Sequence, residues 1–216
     1  MILPFLTTDD VDRAIPTVRE HLSAGKLLAY PTETVYGLGS APTEAALDAL
    51  ARLKGRPPRK PFLLLVSSEK MPEAWGLVYS RAASALAAAF WPGPLTLILK
   101  GGEGRLPDRL RGAEGGIGVR YTSHRGIRRL IEACQIPLTS TSANRPGSPP
   151  AAGAEGIAPL FAEAVEAGEL LVLDGGVLGN VPPSTIVDCT EALPRLVREG
   201  AIPRDELRRA VGSFAP

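Results

Sequence analysis

The chain is short of the residues on which metal and redox chemistry depend. Its 216 residues include two cysteines, Cys134 and Cys189, far apart and outside any CxxC spacing. That spacing argues against a disulfide framework and against a zinc site. There are only two histidines, His21 and His124, too few for a multi-histidine centre, and no residue is assigned to a metal. Aromatic residues make up 5%, which speaks against a platform that stacks single-stranded bases. Charge is also nearly balanced: 24 Lys+Arg against 23 Asp+Glu leave a net +1. Bulk charge therefore excludes a strongly basic nucleic-acid binder while leaving local basic patches open. No apolar run reaches the length of about eighteen residues needed to span a membrane. The N-terminal residues MILPFLTTDDVDR lack the basic start and apolar core of a signal peptide, so the cytoplasm is the expected location.

Familiar catalytic signatures are missing too. No GxxxxGK[ST] phosphate loop is present, and GLGSAP at 37–42 fails the last position of GxGxxG. Ser142 lacks the GxSxG elbow of a serine hydrolase, leaving His124 as the sole candidate for a triad histidine. Paired acids for glycosidase chemistry are not evident either, because the polar loops described below hold very few carboxylates.

What is present is an ample core, 44% apolar with 22% charged, arranged as alternating strand and helix patterns. The spacing of Val11, Ala14, Ile15, Val18 and Leu22 predicts a helix capped by Asp9 or Asp10, with Pro16 kinking it or marking its start. Strands are expected at 27–30, 62–66, 95–99, 117–121, 136–140, 170–173, 185–188 and 195–198. Further helices are expected before Gly55, from Ser80 to Phe90, after Ser123, around 154–167 with a break near Pro159, and near 204–211. This order implies a single α/β domain over 1–216, built on a mixed sheet flanked by helices.

The densest polar stretch is TSTSANRPGS, 139–148, where five hydroxyl side chains and Asn144 fall within ten residues. Short hydroxyls and amides beside backbone N–H groups suit phosphate or carboxylate oxygens; equally, such a stretch can form a turn that satisfies its own backbone. Two more polar loops follow strands, at 31–40 and 174–184. The run KGRPPRK at 54–60 adds four cations. Lys54 and Arg56 flank a predicted helix end at Gly55, where both can turn to one side. They offer a point charge and a planar fork to phosphate oxygens, or simply form a solvated helix end. Brought together, these segments would line a cleft for a polyphosphate.

These motifs resemble the threonylcarbamoyl-AMP synthase (YrdC-like) family. The matching segments are AYPTETVYGLGS (29–40), KGRPPRKPF (54–62), WPGPLTLIL (91–99), GVRYTSH (118–124), PLTSTSAN (137–144), STIVD (184–188) and VREG (197–200). They run in the family's order along nearly the whole chain. The resemblance implies a twisted sheet around a basic concave cavity. It implies synthesis of L-threonylcarbamoyl-adenylate from L-threonine, bicarbonate and ATP, with release of pyrophosphate and with Mg²⁺ carried by the nucleotide. A downstream threonylcarbamoyl transferase would then modify the tRNA adenosine beside the anticodon. By position, Lys54 and Arg56 would hold the ATP phosphates and serve as the catalytic cations. Ser142, Asn144 and Arg198 would contact the nucleotide. Thr32, Ser140 and Ser184 would contact threonine, and Arg120 would line the cavity and neutralise carboxylate or phosphate. The chain resembles the single-domain branch of the family. It departs from the family pattern in having FLLLV where some members carry a histidine, no proline after His124, and Pro150 where many have serine. The alternatives are a paralogue with another substrate, or a non-catalytic RNA-binding module of the same fold supported by the basic clusters at 54–60, 105–111 and 125–129. Weak RNA binding is compatible with the synthase reading as well.

Overall fold

Apolar side chains alternate with period two along the central strands, and both alternating sets are buried. In β2 (Leu27–Tyr30), Leu27 and Ala29 enter one core while Leu28 and Tyr30 enter another. In β9 (Leu170–Asp174), Leu170 and Val172 separate from Leu171 and Leu173 in the same way. A strand whose two faces are both dry must lie in a sheet covered by helices on both sides. The computed structural model, which describes residues 1–55, 60–179 and 181–215, has that arrangement over part of the sheet.

The remaining strands are β1 (Ile2–Pro4), β3 (Gly37–Gly39), β4 (Leu63–Val66), β5 (Leu77–Val78), β6 (Leu95–Gly101), β7 (Ile117–Tyr121), β8 (Leu138–Ser142), β10 (Thr185–Asp188) and β11 (Arg195–Arg198). The eleven-stranded sheet runs in the order β1-β9-β2-β3-β8-β4-β7-β6-β10-β11, with β5 paired to β6 off that path. It is mixed, as expected: β4 and β7 pair parallel, whereas β3 and β4 each pair antiparallel with β8. Helices α1 (Thr8–Ser23) and α5 (Arg125–Cys134) pack on one face against Leu65, Leu138 and Leu171. Helices α2 (Glu44–Lys54), α4 (Arg81–Phe90), α6 (Ala154–Leu160), α7 (Ala162–Glu166) and α8 (Arg204–Val211) cover the opposite face.

Several boundaries differ from the sequence expectation. Thr7, not Asp9 or Asp10, caps α1: its hydroxyl accepts from the Asp10 N–H at 3.1 Å, and the Asp10 carboxylate accepts from the Thr7 N–H at 2.9 Å. This reciprocal capping box satisfies two donors that a single aspartate would not. Pro16 lies within α1 and does not end it. His124, not Ser123, caps α5, its Nδ1 accepting from the Ile127 N–H at 3.2 Å. The 154–167 helix is divided at Phe161. The short elements β1, β5 and the four-residue helix α3 (Met71–Ala74) had no periodicity long enough to be read.

Two corrections bear on the site. The connection 31–40 contains a strand, β3, and the predicted 136–140 strand lies two residues later, at 138–142. Four of the five hydroxyl residues of the 139–148 run, Thr139 to Ser142, therefore lie on a strand and not in a loop. Gly39 explains the pairing: a Cβ there would sit 1.8 Å from the Thr139 carbonyl oxygen, so only glycine lets β3 lie this close to β8.

Candidate active site

The helices α1 and α5 cover only part of their face, and the site lies where that cover stops. On β8, Leu138, Ser140 and Ser142 share one side by strand periodicity; Leu138 packs into the core under α5, while Ser140 and Ser142 open onto a cavity. The same parity recurs across the neighbouring strands. Leu95, Leu97 and Leu99 of β6 and Ile117 and Val119 of β7 enter the core, while Thr96, Ile98, Gly118 and Arg120 line the cavity. The floor is thus the uncovered half of one sheet face, and the walls are the 31–36 loop and Val181 to Ser184. The cavity measures about 730 Å³, within the range of a small-molecule site.

Seven of the nine expected site residues converge there: Thr32, Arg120, Ser140, Ser142, Asn144, Ser184 and Arg198. Arg56 lies outside the described residues. Lys54 is not on the cavity surface. It is buried at the end of α2, where its ammonium donates to the Ser142 carbonyl at 2.7 Å, to the Asn144 carbonyl at 2.5 Å and to the Asn144 amide oxygen. Gly55 in the left-handed region, φ 62°, ends α2 immediately after it. Lys54 therefore holds the segment that carries Ser142 and Asn144 from below. Ser142 adds its own bond, its hydroxyl donating to the Asn144 side-chain oxygen at 2.6 Å.

The hydroxyl run divides its labour. Thr139 is fully buried and spent on Ser40, accepting from its N–H at 2.8 Å and donating to its carbonyl at 3.0 Å. Ser148 is exposed, and its carbonyl accepts from the Asn144 amide. Thr32 accepts from the N–H groups of Thr34 and Val35, both at 3.2 Å, and donates to the Val35 carbonyl at 2.7 Å, tying its own loop. Ser184 and Thr96 are hydrogen bonded to each other at 2.9 Å, and Arg198 donates to the Ser184 carbonyl at 2.7 Å.

Among the described residues, the cavity wall carries Lys60, Arg120 and Arg198 and no carboxylate. The guanidinium pKa of Arg198 is pushed below its ordinary value, first by desolvation against the wall and then by the like charge of Arg120. Two like charges facing one hollow favour an anionic guest. Sequence reasoning placed Thr34 and Lys60 only as members of the 31–40 loop and the 54–60 run, and missed Thr96 and the floor glycine Gly118. Thr96 had a usable signal, since it is the polar position of an alternating strand, LTLIL; Gly118 had none, because only the assembled sheet shows that a bare backbone leaves room there.

A second hollow of about 690 Å³, between the N-terminal turns of α1 and α5, shares none of these residues and contains His124, Arg125, Arg128 and Arg129. His124, spent on capping α5, is therefore not paired with Ser142 in a hydrolase triad. In the 105–111 and 125–129 clusters most arginines have a partner within the chain, several of them at the surface. Arg129 pairs with Asp12, Arg109 with Asp48 at 2.6 Å, and Arg111 with Asp108 at 3.0 Å. Arg128 lies over the Tyr121 ring at 5.6 Å.

The fold and the cavity define a class: a mixed α/β sheet whose uncovered face carries a cavity lined by cations and hydroxyls. The chain belongs to the Sua5/YciO/YrdC family, since residues 20–200 match the family model Sua5_yciO_yrdC, described as Telomere recombination. It is 36% identical over 191 residues to a threonylcarbamoyl-AMP synthase of Pyrococcus abyssi, covering 88% of this chain but 55% of that protein. It is 39% identical over 183 residues to a threonylcarbamoyl-AMP synthase of Chromohalobacter salexigens, covering 84% of this chain and 94% of that one. The crystal structure of P. abyssi Sua5 complexed with L-threonine superimposes with a TM-score of 0.86 at 32% identity, over 99% of this chain and 62% of the other.

Proposed function

We propose that this chain joins L-threonine, bicarbonate and ATP into L-threonylcarbamoyl-adenylate and releases pyrophosphate, acting as a nucleotidyltransferase. The observation that carries this reading is the convergence of Thr32, Arg120, Ser140, Ser142, Asn144, Ser184 and Arg198 on one cavity whose described wall has cations and hydroxyls but no carboxylate. The relatives named threonylcarbamoyl-AMP synthase and the threonine complex of P. abyssi Sua5 support it.

The chemistry asks little of a protein nucleophile. The threonine amine and bicarbonate give a carbamate and water; a carbamate oxygen then attacks the α-phosphorus, and pyrophosphate leaves. Positioning and neutralisation of developing charge are the protein's part. Thr32, Ser140 and Ser184 would orient threonine, with Arg120 against its carboxylate. Ser142, Asn144 and Arg198 would contact the nucleotide, Arg56 would hold its phosphates, and Lys54 would act on them through the Ser142–Asn144 segment that it grips. The described wall offers no carboxylate to a Mg²⁺ ion, so the ion would be carried by the nucleotide's own phosphate oxygens. The product would pass to a threonylcarbamoyl transferase that modifies the tRNA adenosine beside the anticodon.

The test is pyrophosphate release from ATP by the purified chain, with and without L-threonine and bicarbonate. Release that requires both co-substrates is expected. Lys54→Ala should lower it by a factor on the order of 10²–10³, the usual cost of removing one preorganised stabilising group. A folded protein that binds ATP but releases no pyrophosphate under any condition would instead be a paralogue with another substrate.

A further inference from the structure

Behind the cavity wall, two buried and oppositely charged groups face each other without a hydrogen bond. Arg120 Nε and Glu33 Oε1 are 3.6 Å apart, with side chains 5% and 14% exposed, and neither atom has a hydrogen-bond partner among the described residues. That separation is close enough for strong Coulomb attraction and too long for a hydrogen bond. Buried unpaired polar atoms are rare because each forfeits its hydration, so a facing pair of them calls for a physical reason.

Their other contacts supply one. Glu33 Oε2 accepts from the hydroxyl of Thr122, which is itself fully buried and accepts from the His124 N–H at 3.2 Å. The carboxylate is thus anchored from the α5 side. Arg120 spends Nη1 on the Thr34 hydroxyl at 3.2 Å, and that hydroxyl lies 3.1 Å from the Thr32 hydroxyl. Arg120 and Thr32 line the cavity; Glu33 does not. Glu33 stands behind the guanidinium with one oxygen fixed and the other in reserve.

We propose that Glu33 is a positioning residue: it aims the guanidinium of Arg120 at the carboxylate of the amino-acid substrate and supplies the countercharge that keeps Arg120 in that orientation. The assignment of the carboxylate as the ligand rests on the reading of the site given above. A guanidinium presents its N–H groups in a fixed fork, so turning Nε toward a carboxylate behind it sets where the remaining donors point. Because the chain of contacts from Arg120 runs to Thr34 and Thr32, the effect should fall on the residues assigned above to threonine and spare Ser142 and Asn144.

The experiment compares wild type with Glu33→Gln, Arg120→Gln and the double variant, all checked for thermal stability. The first readout needs no substrate. The ¹⁵N-detected Nε–H resonance of Arg120, assigned by its loss in Arg120→Gln, should move in Glu33→Gln. The second is kinetic: Glu33→Gln should raise KM for L-threonine about tenfold while leaving KM for ATP within about twofold, and should add nothing further in the Arg120→Gln background. Thr122→Val, which removes the anchor of the carboxylate, should show the same split in smaller measure, and it decides the matter if Glu33→Gln does not fold. An unmoved Arg120 resonance, equal changes in both KM values, or additive effects in the double variant would overturn the proposal. A wild-type protein that neither binds threonine nor releases pyrophosphate would overturn the functional reading instead, and the resonance would still decide whether Glu33 holds Arg120.

Discussion

His124 shows how the backbone can withdraw a side chain from chemistry. As the sole candidate for a triad histidine in the sequence, it invited a catalytic reading; in the fold its Nδ1 accepts the Ile127 N–H, which requires an unprotonated nitrogen. Its pKa is lowered from the ordinary 6.5, chiefly by burial, with Glu33 opposing. His21 is lowered as well, again mainly by burial. In both cases the unfolded chain takes up a proton at a pH where the native state does not, so stability is complete above the ordinary histidine value and declines as pH falls below 6.5 toward the depressed native value. The melting temperature should accordingly drop as pH is taken from about 7 to about 5.5, and His124→Asn, which can still cap, should flatten part of that slope. A profile identical in wild type and His124→Asn would mean that His124 is not held neutral. Lys54 is the converse lesson. Its identity and its place before Gly55 were legible, but its burial beneath Ser142 and Asn144 depends on the contact between α2 and the end of β8, which no local pattern encodes.

At the scale of elements, the pairing of β3 with β8 decides the site. The glycine-rich segment 37–39 has weak strand preference and looks like a loop when read alone, and the strand expected at 136–140 stops short of Thr141 and Ser142. Both segments become strands because neighbours on either side complete them: β8 pairs with β3 and with β4. Once β8 is a strand, its period of two sends Ser140 and Ser142 to the cavity and Thr139 to Ser40. The close approach of Gly39 to Thr139 makes this arrangement testable. Gly39→Ala places a methyl group against a backbone carbonyl that cannot swing aside, and it should cost at least about 2 kcal/mol in urea denaturation. A loss below about 0.5 kcal/mol would show that β3 does not lie as close to β8 as described.

For the whole molecule, the balance of charge and the placement of helices matter most. Nearly equal numbers of acids and bases leave +1 overall, and the arginines of the 105–111 and 125–129 clusters mostly serve internal partners. Any RNA binding should therefore be weak, with a slope of log K against log salt no steeper than about −2. A slope several times steeper, in a protein without pyrophosphate release, would favour the RNA-binding module. Among the described residues, no helix is long and apolar enough to cross a membrane.

By itself, the sequence determined the alternation of strand and helix, the mixed sheet, the ends of most elements and the residue types available to the site, because each is written in local periodicity, caps and composition. Tertiary structure alone decided that α1 and α5 leave half a sheet face uncovered, that strand parity points hydroxyls and arginines into that opening, and that Glu33 stands behind Arg120. The physical reason is distance along the chain: the cavity joins β6, β7, β8 and β10, and which side of each strand is buried depends on neighbours far away in sequence.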